Sequence, residues 1–116
     1  MSRKRLHEIE PWLCGKNCEG RGQTFIRLTS DLMCSEPFSS LSNGAQLLYL
    51  RMCLASAGKP EFQYTYSQYK AFLTKPSFIR CRNELVEADF IEIVERNGNL
   101  RLPNVYRFSL RWKARL

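Results

Sequence analysis

Apolar and polar positions recur along the chain with two different periods, and these periods predict helices and strands. The longest apolar run, in "SLSNGAQLLYLRMCLASAG", is relieved only at Gln46, Arg51 and Ser56. Ser42 has the side chain of an N-cap, and Gly58 is the kind of residue that ends a helix. The run therefore predicts a long helix, most of whose circumference must be covered by other elements.

A second helix is predicted to begin at Pro76 and to end near Ala88. Proline fits the first turn of a helix, where its missing N–H removes no hydrogen bond. On a helical wheel Phe78, Cys81 and Leu85 fall on the same side as Ala88, which makes this side the expected core face.

Shorter elements surround these two helices. The stretch "FIRL" predicts a short extended segment, and Thr29 or Ser30 with Asp31 predicts a cap for one or two helical turns that Pro37 ends. The alternation in "FQYTY" predicts a short strand. Ser67 is the expected cap of a short helix over "QYKAFL".

The C-terminal region predicts a hairpin. "FIEIV" alternates apolar and acidic positions, a loop follows at residues 97–104, and the last stretch repeats with a period of two. The apolar face carries Tyr106, Phe108, Leu110 and Trp112, and the polar face carries Arg107, Ser109, Arg111 and Lys113. Such alternation predicts one face packed on a core and one face in water.

Length and charge set the scale of the protein. A chain of 116 residues has room for one core, which we assign to residues 24–116, and residues 1–23, polar and without periodicity, predict a flexible basic arm. The net charge of +7 favours an anionic partner. We find no apolar run long enough for a secretory signal or a membrane span, so we expect a cytoplasmic protein with no membrane partner.

The cysteines and the single histidine offer little catalytic or metal chemistry. Five cysteines in irregular spacing predict reduced thiols. Cys14 and Cys18, with His7 and perhaps Cys34, are weak candidates for a metal, but structural zinc usually needs a second close pair. The chain also lacks a glycine-rich phosphate loop and a Ser-His-acid set. We therefore predict that it is not an enzyme and needs no cofactor.

The order of elements predicts an α+β winged helix-turn-helix domain, with three to four helices, a C-terminal two-stranded wing and a short third strand. Residues 25–54, which contain "AQLLYL", and residues 76–93, which contain "NELVEADFIE", carry a resemblance. They resemble the N-terminal winged-helix domain of the replication initiators of Gram-positive plasmids and mobile elements. The departures from that pattern are Pro76 in the corner before the second helix and the absence of glycine at Ala88 and Asp89.

The resemblance implies a double-stranded DNA partner and two sets of contact residues. The residues implied for the major groove are Lys75, Ser77, Arg80 and Asn83. The residues implied for a minor groove or the backbone are Arg96, Asn99 and Arg101. Phosphate contacts need Lys or Arg, which the polar face of the hairpin supplies at Arg107 and Arg111.

Two carboxylates interrupt this basic surface. Glu84 and Glu87 repel phosphate if they face it, but a carboxylate also accepts from a cytosine amino group. Alternatively Glu84 pairs with Arg80, and Glu87 pairs with Arg111. Both possibilities stay open on the sequence alone.

We expect a DNA-binding replication or transcription accessory factor of a plasmid, phage or integrative element. A homodimer is expected, since a two-fold pair doubles the contacts of one recognition helix, with the first long helix or the arm as the interface. One alternative is a winged-helix protein-interaction module without DNA binding, whose basic hairpin docks an acidic partner. Another is a metal- or redox-sensing regulator that uses Cys14 and Cys18.

Overall fold

The computed structural model describes residues 14–16, 24–26, 28–96 and 104–115. In chain order the elements of these residues are β1 (Cys14–Lys16), β2 (Thr24–Ile26), α1 (Ser30–Met33), α2 (Glu36–Ser39), α3 (Asn43–Ser56), β3 (Glu61–Gln63), α4 (Tyr66–Tyr69), α5 (Lys75–Glu87), β4 (Ile91–Glu95), β5 (Val105–Phe108) and a 3-10 helix (Arg111–Arg115). The predicted α+β class is confirmed.

The larger sheet is antiparallel and has the strand order β3-β5-β4. Its register sets Phe62 opposite Tyr106, and Ile91 opposite Phe108. All four side chains are buried, which places the core on this face of the sheet. A short strand and two hairpin strands are present where they were predicted, but β3 ends at Gln63 and does not continue to Tyr66. The predicted loop lies mainly outside the described residues.

Helix α3 begins where its sequence predicted. The Ser42 hydroxyl accepts a hydrogen bond from the backbone N–H of Ala45 (3.2 Å). At the other end, Ala57 adopts the left-handed conformation with φ of 55°, and Gly58 follows with φ of 88°. The helix therefore ends at Ser56, two residues before the glycine, and its C-cap is Ala57.

Most of the circumference of α3 is covered, as predicted, but one apolar side of the helix is not. Tyr49 and Met52 are fully buried, but Leu47 is 42% exposed and Leu54 is 44% exposed. The described elements with the most contacts to α3 are α5, β2 and β3, and together they leave these leucines open to solvent. Apolar content alone did not distinguish a covered face from an open one.

Helix α5 follows its predicted pattern. Phe78, Cys81 and Leu85 are buried, as the helical wheel predicted. The N-cap is Thr74, whose hydroxyl accepts from the backbone N–H of Ser77 (3.3 Å). Asp89, with φ of 68°, makes the left-handed turn into β4 that a glycine more often makes.

Helices α3 and α5 pack closely where they cross. A Cβ atom added to Gly44 would lie 3.0 Å from the sulfur of Cys81. This distance is shorter than an ordinary van der Waals contact, so the glycine lets the two helices approach.

Two short helices differ from the sequence prediction. Helix α1 was predicted to end at Pro37, but it ends at Met33. Pro37 lies instead in the first turn of a second helix, α2, which is capped by Ser35. The N-cap of α4 is Thr65, and Ser67 lies inside the helix. Thr65 and Gln68 form a capping box, a local arrangement that the backbone prefers to a start at Ser67.

The two ends of the domain also differ. Strand β1 pairs antiparallel with β2, with Cys14 opposite Ile26. The extended segment predicted in "FIRL" overlaps β2, whereas no regular element was predicted at β1. Strand β5 ends at Phe108, and not beyond Trp112 as predicted. One more ladder bond follows, from the Ser109 N–H to the carbonyl of Phe90 (3.0 Å), and the chain then enters the 3-10 helix at Arg111. Trp112 reaches the core from the 3-10 helix.

Within the ranges given above, no helix is both long enough and apolar enough to cross a membrane.

Candidate nucleic-acid interface

The first half of α5 and the short helix before it form a surface that we call the α4–α5 corner, residues 66–83. Its charged residues are Lys70, Lys75, Arg80 and Arg82. It contains no Asp or Glu, so every full charge that it carries is positive. The first three cations are exposed, and Arg82 is half-buried. The full charges of the corner are therefore all cationic, and most of them are exposed.

Three of the four residues predicted on α5 point outward together. Lys75, Arg80 and Asn83 are exposed, and the spacing of Lys75 and Asn83 places them on one ridge of the helix. The Asn83 side-chain oxygen accepts from both Nε (3.3 Å) and Nη2 (3.1 Å) of Arg82. This contact orients the asparagine amide and leaves its N–H donors for another acceptor.

The structure places Ser77 differently. Its hydroxyl is half-buried and accepts from the Thr74 hydroxyl (3.0 Å). Ser77 is therefore part of the cap of α5, and its side chain is held toward the helix start.

Glu84 turns away from the exposed ridge, toward the start of α3. Its carboxylate accepts from the backbone N–H of Ser42 (3.0 Å) and from the Ser42 hydroxyl (2.8 Å). An anion at this position also opposes the positive end of the α3 dipole. The partner of Glu84 is thus a helix N-terminus, a contact between distant residues that the sequence did not reveal.

The hairpin arginines are bound by carboxylates. Arg107 Nη2 lies 3.0 Å from a carboxylate oxygen of Glu61, and Nη1 lies 3.4 Å from one of Glu92. Arg111 Nη2 lies 3.5 Å from Asp89 and 3.6 Å from Glu92. These exposed pairs add little stability. The carboxylates do, however, compensate the charges of both arginines. The two arginines therefore attract phosphate less than the sequence predicted.

The strand order explains why this network was missed. Glu61 and Glu92 lie on either side of Arg107, because β5 is the central strand and both are its cross-strand partners. Opposite charges at such positions attract each other. Alternation along one strand predicts that Arg107 faces outward, but only the register of three strands shows what it faces.

The predicted wing residues are described only in part. Arg96 is exposed and directly follows β4. Asn99 and Arg101 lie outside the described residues, and their predicted contacts stay predictions.

Two residues of the corner were not assigned from the sequence. Tyr66 is 60% exposed, which is high for a large aromatic side chain, and Lys70 lies one helical turn beyond it. Both line a cleft beside the first turn of α5. The alternation in "FQYTY" suggested a strand through Tyr66, so its position at the start of α4 was not foreseen.

Burial controls the protonation of two groups beneath the corner. Desolvation raises the pKa of Tyr69, and the neighbouring Tyr66 and Tyr106 add to this effect. Desolvation also raises the pKa of the Cys81 thiol, to which Glu84 contributes further. Both groups are therefore neutral near pH 7. A buried, protonated thiol is a packing residue and a poor nucleophile.

The metal alternative depends on residues that are mostly undescribed. Cys18 and His7 lie outside the described residues, and only the backbone of Cys14 is described. Among the side chains that the structure does describe, no group of three His, Cys, Asp or Glu residues could hold a metal ion.

Comparison of the chain with protein-family models, with curated proteins and with solved structures found no match.

Proposed function

We propose that this protein is a winged-helix domain that binds double-stranded DNA. The order α3, β3, α4, α5, β4, β5 supports the fold assignment, since a short helix and a second helix joined by a tight turn precede a hairpin. The resemblance of residues 25–54 and 76–93 to plasmid replication initiators supports a role in replication or transcription on a plasmid, phage or integrative element.

The observation that carries this proposal is the charge of the α4–α5 corner. Four cations within residues 66–83 have no carboxylate among them, and three of the four are exposed. Duplex DNA is a dense polyanion, and neutralisation of its phosphates supplies most non-specific affinity. Arg80 and Asn83 are also residue types that read guanine and adenine in the major groove.

The structure changes the expected division of work between helix and hairpin. Arg107 and Arg111 were predicted to attract phosphate, but Glu61, Glu92 and Asp89 already compensate them. The corner therefore supplies the main attraction in this proposal. Glu84 does not oppose it there, because its carboxylate is directed to Ser42.

A salt titration with a random duplex tests the proposal. Affinity should fall steeply with salt, with a slope of about −0.9 for each phosphate neutralised in a plot of log K against log salt concentration. Lys75→Ala should reduce that slope by about 1. Arg107→Ala is the matched control, and it should change the slope much less, because its charge is already compensated. Absence of binding at low salt would refute the proposal.

The proposed homodimer has a separate surface. Leu47, Leu50 and Leu54 of α3 have the spacing of a seam between two helices, and the first and last are more than two-fifths exposed. A two-fold antiparallel pair of α3 helices would set Leu47 of one copy against Leu54 of the other. In sedimentation velocity, Leu47→Glu should yield monomers at concentrations where the natural protein forms dimers. Identical sedimentation of the two proteins would refute this interface.

A further inference from the structure

A cleft of about 680 Å³ lies beside the first turn of α5. Its lining includes Tyr66, Tyr69, Lys70, Phe72, Leu73 and Lys75. The volume of the cleft is in the range of small-ligand sites. Its walls are largely apolar, and its lining also includes two lysines of the α4–α5 corner.

The aromatic walls are held in place from beneath. Tyr69 is buried, and its ring stacks on that of Phe78 with 4.0 Å between centroids and 2° between planes. The ring of Tyr66 meets Tyr69 edge to face, with 5.4 Å between centroids. The guanidinium of Arg51 lies 4.3 Å from the centre of the Phe72 ring. The cleft is thus formed before any ligand arrives.

Tyr66 is the part of the cleft that packing does not explain. Its ring rests on Tyr69 with one edge, and 60% of its surface remains exposed. An exposed aromatic face favours a flat ring stacked on it. Nearby, Lys70 and Lys75 favour negative charge, and the lining contains no carboxylate to compete for them.

A nucleotide combines a flat aromatic base with phosphates on either side. In a paired duplex the base faces are covered by their neighbours, so only an unpaired base can present its face to a tyrosine. We infer that the cleft binds one unpaired nucleotide of a DNA strand, with the base on Tyr66 and the adjoining phosphates near Lys70 and Lys75. This inference rests on the proposed DNA binding, and it makes the protein selective for distorted or locally opened duplex.

Three fluorescent DNAs of equal length and flanking sequence test the inference. One is fully paired, one carries a single bulged thymidine, and one carries an abasic bulge that keeps the phosphates without the base. The protein should bind the thymidine bulge roughly tenfold more tightly than the abasic bulge, because stacking on an aromatic side chain is the main difference. Both bulges should lose affinity equally as salt rises, so their ratio should hardly change.

Variants separate the base contact from the phosphate contacts. Tyr66→Ala should abolish the difference between the two bulges and leave binding to paired DNA within about twofold, whereas Tyr66→Phe should retain it. Lys70→Ala and Lys75→Ala should weaken binding to all three DNAs. Lys59→Ala, an exposed lysine outside the cleft, is the matched control and should change none of them.

The outcomes distinguish this inference from the proposed function. Equal affinity for both bulges, with paired DNA still bound, overturns the inference and leaves the proposed function standing. Failure to bind any of the three DNAs overturns the proposed function itself. A base preference that survives in Tyr66→Ala places the base elsewhere and overturns the assignment of the cleft. Saturation of the protein by free thymidine 5′-monophosphate at micromolar concentration overturns the inference that the cleft binds a nucleotide within a DNA strand, since a free nucleotide lacks the phosphate on its other side.

Discussion

The contact between Glu84 and Ser42 predicts how a substitution in α5 affects stability and how it affects the proposed DNA binding. Glu84→Ala removes a carboxylate that accepts two hydrogen bonds, at 3.0 Å and 2.8 Å, from one residue at the start of α3. Hydrogen bonds to charged groups contribute about 1.5–3 kcal/mol each when buried. The side chain is only half-buried, so solvent screening lowers this value.

Adding the two screened bonds to a dipole contribution of about 0.3–1 kcal/mol gives an expected loss of about 2 kcal/mol for Glu84→Ala. Glu84→Gln should lose about 1 kcal/mol, because the amide keeps one acceptor oxygen but has no charge. Urea denaturation measures both losses as a fall in the midpoint at constant slope.

A double-mutant cycle isolates the contact from other effects of the substitution. Ser42→Ala removes the hydroxyl that caps α3 through Ala45 and donates to Glu84. It should destabilise by about 1–2 kcal/mol alone, and by clearly less in the Glu84→Ala background. Additivity within about 0.3–0.5 kcal/mol would refute the coupling.

DNA binding provides the second half of the test. Glu84→Gln raises the net charge from +7 to +8 and removes an anion beside the proposed interface. Affinity for a random duplex should therefore stay equal or rise, even though stability falls. A loss of affinity at a temperature where the variant is folded would show that Glu84 contacts DNA, and would refute the structural role assigned to it.

Three further predictions follow from the packing and charges. Gly44→Ala should lower the free energy of unfolding, measured in urea, by about 1 kcal/mol, because the added methyl group would lie 3.0 Å from the Cys81 sulfur and this overpacking outweighs the higher helix propensity of alanine. The stability losses of Gly44→Ala and Cys81→Ala must therefore be non-additive in the double mutant. Burial raises the pKa of Tyr49 well above its usual value, so the tyrosine ionises more readily in the unfolded chain than in the folded protein. The stability that this residue contributes below about pH 10 should therefore be lost as pH rises further, and the loss should be smaller in Tyr49→Phe. Parallel pH profiles of stability for the two proteins would contradict this prediction. Arg107→Ala should change stability by under about 1 kcal/mol, and a larger loss would contradict screened pairing with Glu61.

Local signals predicted the central elements of this fold. The Ser42 cap begins α3, the wheel through Phe78, Cys81 and Leu85 identifies the buried face of α5, and alternation predicts both hairpin strands. These signals succeed because caps and periodicity are decided within a few residues of each other.

Features that depend on distant partners were not accessible in the same way. The period of two predicted a strand as far as Trp112, but the chain enters a 3-10 helix at Arg111, and from there Trp112 stacks on the Phe90 ring (5.2 Å between centroids). A strict period of two continues past Phe108 in the sequence, yet the chain leaves the sheet there. Similarly, an apolar helix does not itself reveal that Leu47 and Leu54 are left uncovered.

Distant partners also decide which part of the surface is the better candidate for the proposed interface. Residues 90–116 hold six basic and two acidic side chains, so the charge along the chain pointed to the hairpin. In the folded protein Glu61 and Asp89, which precede this segment in the chain, bind Arg107 and Arg111. Compensation of these charges makes the hairpin a weaker attractor than its composition suggests.

In the α4–α5 corner, by contrast, no carboxylate of the same segment compensates the positive charges. Its four cations make up a smaller count than those of the C-terminal segment, but residues 66–83 contain no carboxylate, and the nearest along the helix, Glu84, is bound to Ser42. The electrostatic field around the proposed DNA-binding surface depends on uncompensated charge and not on the number of basic residues. Removing Lys75 should therefore lower the salt dependence of binding more than removing Arg107, although both substitutions change the net charge of the protein by the same amount.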